Sequence, residues 1–277
     1  MCGFLTCFVL KWLYTKVTTF YGKGLKKEHL TPSSNPQIFK SSNSKFVSLF
    51  LEWAMVHRPF FAPVLPLRPD EETAFELDLS KDGPHAANVD VRNPQQFEDY
   101  LNVLLNRTGT SMAIGGYLEH RNLYADKQLF NAGDNQSERF IHLGVDVWMP
   151  AGTEIFAPLA GKIHSFADNY SIGNYGPTII LKHEPIADLV FYTLYGHLSR
   201  SDLNLLSVGK RFEKGECLAH FGKPEENGFW SPHLHFQIIL NMGNYFGDYP
   251  GVASLETIAF EKSNCPDPNI ILNCPLI

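Results

Sequence analysis

Four histidines and one aspartate stand at spacings that aim their side chains together. In Ile141-His142-Leu143-Gly144-Val145-Asp146-Val147, His142 and Asp146 are four residues apart. On a strand such residues share a face, so Leu143, Val145 and Val147 turn the other way, into a core. In Pro232-His233-Leu234-His235-Phe236 the two histidines are two apart and again share a face. A third stretch, Tyr195-Gly196-His197-Leu198, ends a strand and puts His197 at its rim, where Gly196 lets the backbone turn or another group approach. Taken singly, the His142–Asp146 pair reads equally well as a surface hydrogen-bonded pair, and His197 as structural. Two imidazoles aimed at one spot by His233 and His235 are hard to explain by packing. Imidazole and carboxylate are the ligands of catalytic zinc, which takes three protein ligands and keeps one position for water. Five candidates exceed three, and the surplus suits hydrolysis, which needs groups that move protons and hold an oxyanion.

Short strands must position these residues. The chain has 277 residues, enough for one sizeable domain with an accessory segment or for two small ones. Its 44% hydrophobic and 19% charged content is that of an ordinary soluble protein, and a net charge of -6 argues against nucleic acid as a partner. Many of the 21 Gly and 18 Pro fall between short runs rich in Val, Ile, Phe and Tyr, which predicts a mostly β fold. Strands are expected at 141–148, 154–157, 161–168, 178–183, 191–197, 211–221 and 233–240, with no βαβ alternation. Upstream, 30–44 reads as a polar linker. Residues 45–56 read as a short helix with Phe46, Leu49, Phe50 and Trp53 on one face, and 75–79 as a strand. A second helix follows Asn93, a good N-cap, with Pro94 in the first position and Gln96 able to reach back to the cap. These elements divide the chain into a poorly ordered 1–44, an accessory α/β segment 45–112, a catalytic-type domain 113–250 and a tail 251–277.

The five cysteines (Cys2, Cys7, Cys217, Cys265 and Cys274) are odd in number and scattered, so they are not a disulfide framework, and Cys265 and Cys274 read as free thiols. The apolar run Cys2–Leu10 is broken by Lys11 and falls short of the roughly 20 apolar residues of a spanning helix. It also lacks the charge order and cleavage site of a secretory signal. Membrane contact is expected only if this segment is an anchor, the location is cytoplasmic or cell envelope, and the chain is expected to be a monomer.

His142-x-x-x-Asp146, Tyr195-Gly196-His197-Leu198 and His233-Leu234-His235, in this order, resemble the lysostaphin-type or LytM-like zinc endopeptidases. The flanks Ala151-Gly152-Thr153, Ala157-Pro158, Gly161-Lys162-Ile163, Gly215 and Pro232 agree, so the resemblance covers roughly residues 117–240. It implies a LytM-like duplicated hybrid motif, antiparallel sheets forming a groove, here with a small α/β N-terminal extension. It implies one Zn2+ per chain held by His142, Asp146 and His235, with His233 and His197 as the catalytic pair. It also implies hydrolysis of a peptide bond, commonly in peptidoglycan, so a peptide or peptidoglycan-like substrate is expected. Many members carry a tyrosine just before the first ligand. Residues 135–139 have none, and Tyr117 and Tyr124 are the nearest upstream. Tyr117, Arg121, Tyr124 and Trp230 are the further groove candidates, Arg121 either reading substrate charge with Glu119 or forming an exposed salt bridge. Two other functions fit the same residues: a non-catalytic zinc-containing binding or regulatory module, and a cytoplasmic zinc amidohydrolase acting on a small substrate.

Overall fold

The computed structural model describes residues 36–121 and 139–277, with side chains from residue 45 onward; Cys2, Cys7 and Tyr124 lie outside these residues. The chain divides into two units, 1–42 and 43–277, and the strands and the candidate site all belong to the second. No helix among the described residues is long and apolar enough to cross a membrane.

Alternating apolar residues build a mixed eight-stranded sheet. Its strands are β1 (Ala74–Glu76), β2 (Met112–Gly115), β4 (Val145–Trp148), β6 (Gly161–Asn169), β7 (Gly176–Ile186), β8 (Leu189–Gly196), β9 (Arg211–Phe212) and β11 (His233–Ile239), in the order β1-β2-β4-β11-β8-β7-β6-β9. All neighbours are antiparallel except β1 and β2, which run parallel. Two small ribbons complete the β structure: β5 (Glu154–Phe156) with β10 (Cys217–His220), and β3 (Ile141–His142) with β12 (Val252–Ala253).

The predicted 141–148 strand is in fact two. β3 leaves the sheet to pair with β12, while β4 stays between β2 and β11. Gly144 lies at the break, where an added Cβ would overlap the His235 ring, so the chain can bend there only because glycine leaves that space. The sorting of faces survives. Val145, Val147, Leu234, Phe236 and Ile238 enter the main core, and Asp146, His233 and His235 turn to the opposite face.

The accessory segment and the tail are built into the same body. Helix α1 spans Pro36–His57, so part of the expected 30–44 linker is helical, and its Phe50, Trp53 and Ala54 join the main core. Helix α2 (Pro94–Thr108) begins as its sequence predicts: the Asn93 side chain accepts from Gln96 N–H, and Gly109 ends it in the left-handed region. Phe97, Leu101 and Leu104 pack with Leu79 and Trp148 in a second cluster. The C-terminal helices α3 (Ile258–Asn264) and α4 (Asn269–Leu272) bring Cys265 to a third cluster and Ile271 and Leu272 to the main core. Divisions at 112/113 and 250/251 therefore do not separate packing units. Cys217, Cys265 and Cys274 are free thiols.

His183 is a core histidine and lies inside β7 rather than at the strand end expected at residue 183. Its Nδ1 bonds the Ala160 carbonyl at 3.1 Å and its Nε2 bonds Thr193 Oγ1 at 2.8 Å. Burial pushes its pKa down to about 4. In the unfolded chain the ring titrates near 6.5, so the unfolded state binds the extra proton first as pH falls. Stability should therefore drop between pH 6.5 and 4, by up to roughly 3 kcal/mol from this residue. Urea denaturation across this range, compared with His183→Gln, checks it; equal pH slopes in the two proteins would refute it.

Candidate metal centre and catalytic cleft

Sheet register brings the donors together. Asp146 on β4 is the direct cross-strand partner of His235 on β11, and His235 also faces Gly196 at the end of β8. His142, on β3, reaches the same point from beyond the Gly144 break. One ligand atom from each of His142, Asp146 and His235 lies within 4.8 Å of the others, and all three residues are buried.

Neighbouring acceptors fix which ring nitrogens face the centre. His142 Nδ1–H donates to the Gly116 carbonyl at 2.9 Å, and His235 Nε2–H donates to Gln237 Oε1 at 2.9 Å. Gln237 is itself oriented by its Nε2–H bonds to the Pro250 carbonyl and Cys265 Sγ, each 3.2 Å. His142 Nε2 and His235 Nδ1 are thus left as lone-pair nitrogens. They face each other at 3.0 Å, with Asp146 carboxylate oxygens 3.3 Å and 3.1 Å away. Two lone pairs and an anion at such distances repel unless a cation joins them. A tetrahedral zinc ion, 2.0–2.1 Å from each nitrogen, sets two such nitrogens roughly 3.3 Å apart. The three residues fit that group, and the outer acceptors complete the usual ligand support.

Electrostatics match this arrangement. Burial, with Arg121 close by, lowers His142 to about 4 and keeps the ring neutral. Burial opposes ionisation of Asp146, but its polar neighbours, the Arg121 guanidinium among them, outweigh it and hold its carboxyl well below the usual carboxylate range.

Two more histidines stand beside the centre. His233 Nδ1–H donates to the Ser231 carbonyl and His197 Nδ1–H to the Asn227 carbonyl, each at 2.8 Å. The two rings lie 4.1 Å apart, and His233 stacks on Trp148, its cross-strand partner, at 5.6 Å. Burial, then the neighbouring His233, pushes His197 well below the ordinary histidine range, and burial also lowers His233. Both rings are therefore neutral, and both carry their lone pair on Nε2. His197 takes a left-handed backbone, φ 63°, unusual for a residue with a side chain. Its N–H bond to Tyr175 O and the bond its carbonyl accepts from Gly222 N–H hold it there.

A cavity of about 270 Å³ opens over these groups and includes His142, Asp146, His197, His233 and His235 in its walls. It lies just below the 300–1,000 Å³ typical of drug-sized ligand sites, so it takes a short stretch of substrate.

The other groove candidates divide. Trp230 lines the cavity beside His197 and donates Nε1–H to Asn174 O at 3.2 Å. Tyr117 does not line it: its hydroxyl donates to the Cys265 carbonyl at 2.8 Å. The tyrosine beside the ligands is Tyr175, whose hydroxyl is 3.3 Å from His235 Nε2. The loop Gly173-Asn174-Tyr175-Gly176, turning into β7, is its only sequence signal. Gln237 is a further site residue that the sequence reading does not single out, although it continues the His233, His235 alternation.

Arg121 reaches the cavity, but it is not half of an exposed salt bridge. It is 3% exposed, its Nη1 donates to Asp146 Oδ2 at 2.6 Å, and its Nε donates to Glu119. Glu119 is anchored in turn by Leu79 N–H at 2.6 Å, and burial raises its carboxyl despite Arg121. Gly116 makes room, since a Cβ there would run into the guanidinium and the His142 ring. Arg121 thus holds Asp146 through Oδ2, the carboxylate oxygen that also lies 3.3 Å from His142 Nε2. Arg121→Met should lower the stability of the metal-free protein by roughly 3–5 kcal/mol, because it strands two buried carboxylates. Zinc should recover part of this by compensating Asp146. Chemical denaturation with zinc and with chelator checks it; an equal loss in both would count against the Asp146 contact.

Residues 140–246 match peptidase family M23. An uncharacterized metalloprotease of Haemophilus influenzae is 33% identical over 100 residues, covering 36% of this chain and 19% of that protein. Peptidoglycan DD-endopeptidase ShyC of Vibrio cholerae is 29% identical over 100 residues, covering 36% and 20%. Among solved structures, the catalytic domain of the antimicrobial peptidase lysostaphin from Staphylococcus simulans is 28% identical, covering 44% of this chain and 80% of that one, with a TM-score of 0.30. The match spans about a fifth of the length of the two curated relatives.

Proposed function

We propose, from the match of residues 140–246 to peptidase family M23, that the chain is a zinc-dependent endopeptidase that hydrolyses a peptide bond in a peptide or peptidoglycan-type substrate. The observation that carries this reading is the release of two imidazole lone pairs, on His142 Nε2 and His235 Nδ1, toward the Asp146 carboxylate, with two further neutral histidines beside them. The relatives' names, a metalloprotease and a peptidoglycan endopeptidase, support the reaction class and the substrate class.

His142, Asp146 and His235 would hold the zinc ion, which would supply Lewis acidity for activating water and polarising a carbonyl. The chain's own residues do the rest. His197 and His233 present Nε2 as an acceptor, so one of them takes the proton of the water. The charged ring is then stabilised by its Nδ1–H bond to a carbonyl, Asn227 O or Ser231 O. Because the rings are 4.1 Å apart, charge on one disfavours charge on the other. The pair therefore carries one proton at a time, and delivers it to the leaving amine. Trp148 beneath His233 and Trp230 beside His197 limit how far either ring can tilt.

The test uses the purified chain with peptidoglycan and, separately, with a peptide library. Cleavage should stop with chelator and return with added zinc. Cleavage that survives chelation, or none of either substrate with zinc present, would refute the proposal.

A further inference from the structure

A second group of ligand-type side chains lies on the β5–β10 ribbon, outside the cleft. Glu154, Cys217 and His220 each place one ligand atom within 4.8 Å of the others. Cys217 and His220 are three residues apart, and on a regular strand they would face opposite ways. A register irregularity between Cys217 and Ala219 changes this. Cys217 pairs with Phe156 and His220 pairs with Glu154, two residues apart on β5, so both side chains emerge on one face. An extra residue that re-aims a side chain is a common use of a bulge.

The imidazole is also oriented for coordination. Asp202, on the 3-10 turn Arg200–Leu205, accepts His220 Nδ1–H at 3.0 Å and His220 backbone N–H at 2.7 Å. The neutral ring then carries its lone pair on Nε2. A carboxylate behind the imidazole is the support that metal-ligating histidines use. Cys217 sits among anions: burial first, then Glu154 and Asp202, pushes its thiol up. A cation is what such a thiol lacks.

We propose that Cys217 Sγ, His220 Nε2 and a Glu154 carboxylate oxygen form a second metal site, taking a borderline-soft divalent cation of the zinc type. Thiolate and imidazole favour such ions over magnesium or calcium, and three protein ligands leave one position for water. On binding, the Cys217 S–H bond breaks, its proton passes to solvent, and the thiolate pair forms the bond to the metal. The ion ties β5 to β10 and, through Asp202, to the turn that follows His197.

The probe is cobalt(II), titrated into the whole chain after chelator treatment and reduction. The cleft ligands include no thiol, so a sulfur-to-cobalt charge-transfer band in the near ultraviolet that depends on Cys217 reports this site. Wild type should bind two equivalents, one with the band. Cys217→Ser should lose the band and that equivalent, and His142→Ala should keep both. No band in wild type, or a band that persists in Cys217→Ser, overturns the proposal. Alkylation of Cys217 in the wild-type protein, followed by mass spectrometry, covers the case of a variant that does not fold. Saturating zinc should slow it at least about tenfold, because the metal-held thiolate is shielded from the reagent. Equal rates with and without zinc overturn the proposal.

Discussion

His142→Ala should bring hydrolysis down at least about 10³-fold, the equivalent of roughly 4 kcal/mol of lost charge stabilisation at the transition state. It deletes the lone pair that Gly116 releases toward the centre and leaves only Asp146 and His235 as donors. Folding should survive, because Arg121 still compensates the Asp146 carboxylate. The sharper readout is thermal stability. Zinc that binds only the folded protein stabilises it by about 2.7 kcal/mol at a hundredfold excess over Kd. Wild type should show that rise in Tm with zinc, and His142→Ala should lose the part owed to the cleft. An unchanged zinc-dependent rise together with unchanged turnover would remove His142 from the metal centre.

His233→Ala should give the opposite combination, with metal retained and turnover lost. The His142, Asp146 and His235 donors stay in place, since among the described residues the His233 ring bonds Ser231 O and packs on Trp148 and His197. Loss of a positioned proton-transfer group costs 10²–10⁴-fold, falling on kcat more than on KM if the group acts in the transition state. His197→Ala should cost a similar factor, and the double variant little more than either single one, because the two rings share one proton. Full activity in His233→Ala would refute the role given to it. Additive losses in the double variant would refute the sharing.

The local regularities are legible in the sequence because they depend on backbone period alone. His233 and His235 share a face for the same reason that Leu234 and Phe236 share the core, and Asn93-Pro94 starts its helix through its own hydrogen bond. The single strand expected at 141–148 fails where a non-local event intervenes: β3 finds its partner, Val252–Ala253, more than a hundred residues away. Arg121 reads as a surface charge because its partner, Asp146, is 25 residues on and meets it only when β4 pairs with β2. Tyr117 is nearer the ligands in sequence than in space, and Tyr175 the reverse. Nothing in the sequence says which hydroxyl a carbonyl such as Cys265 O will occupy.

By itself, the sequence determined the chemical type of the candidate donors and the strand face from which they emerge. Only the tertiary structure decided which nitrogen of each ring faces the centre. A ring offers a lone pair on one nitrogen when the other has an acceptor to donate to, and those acceptors, Gly116 O, Gln237 Oε1, Ser231 O and Asn227 O, come to the rings through folding.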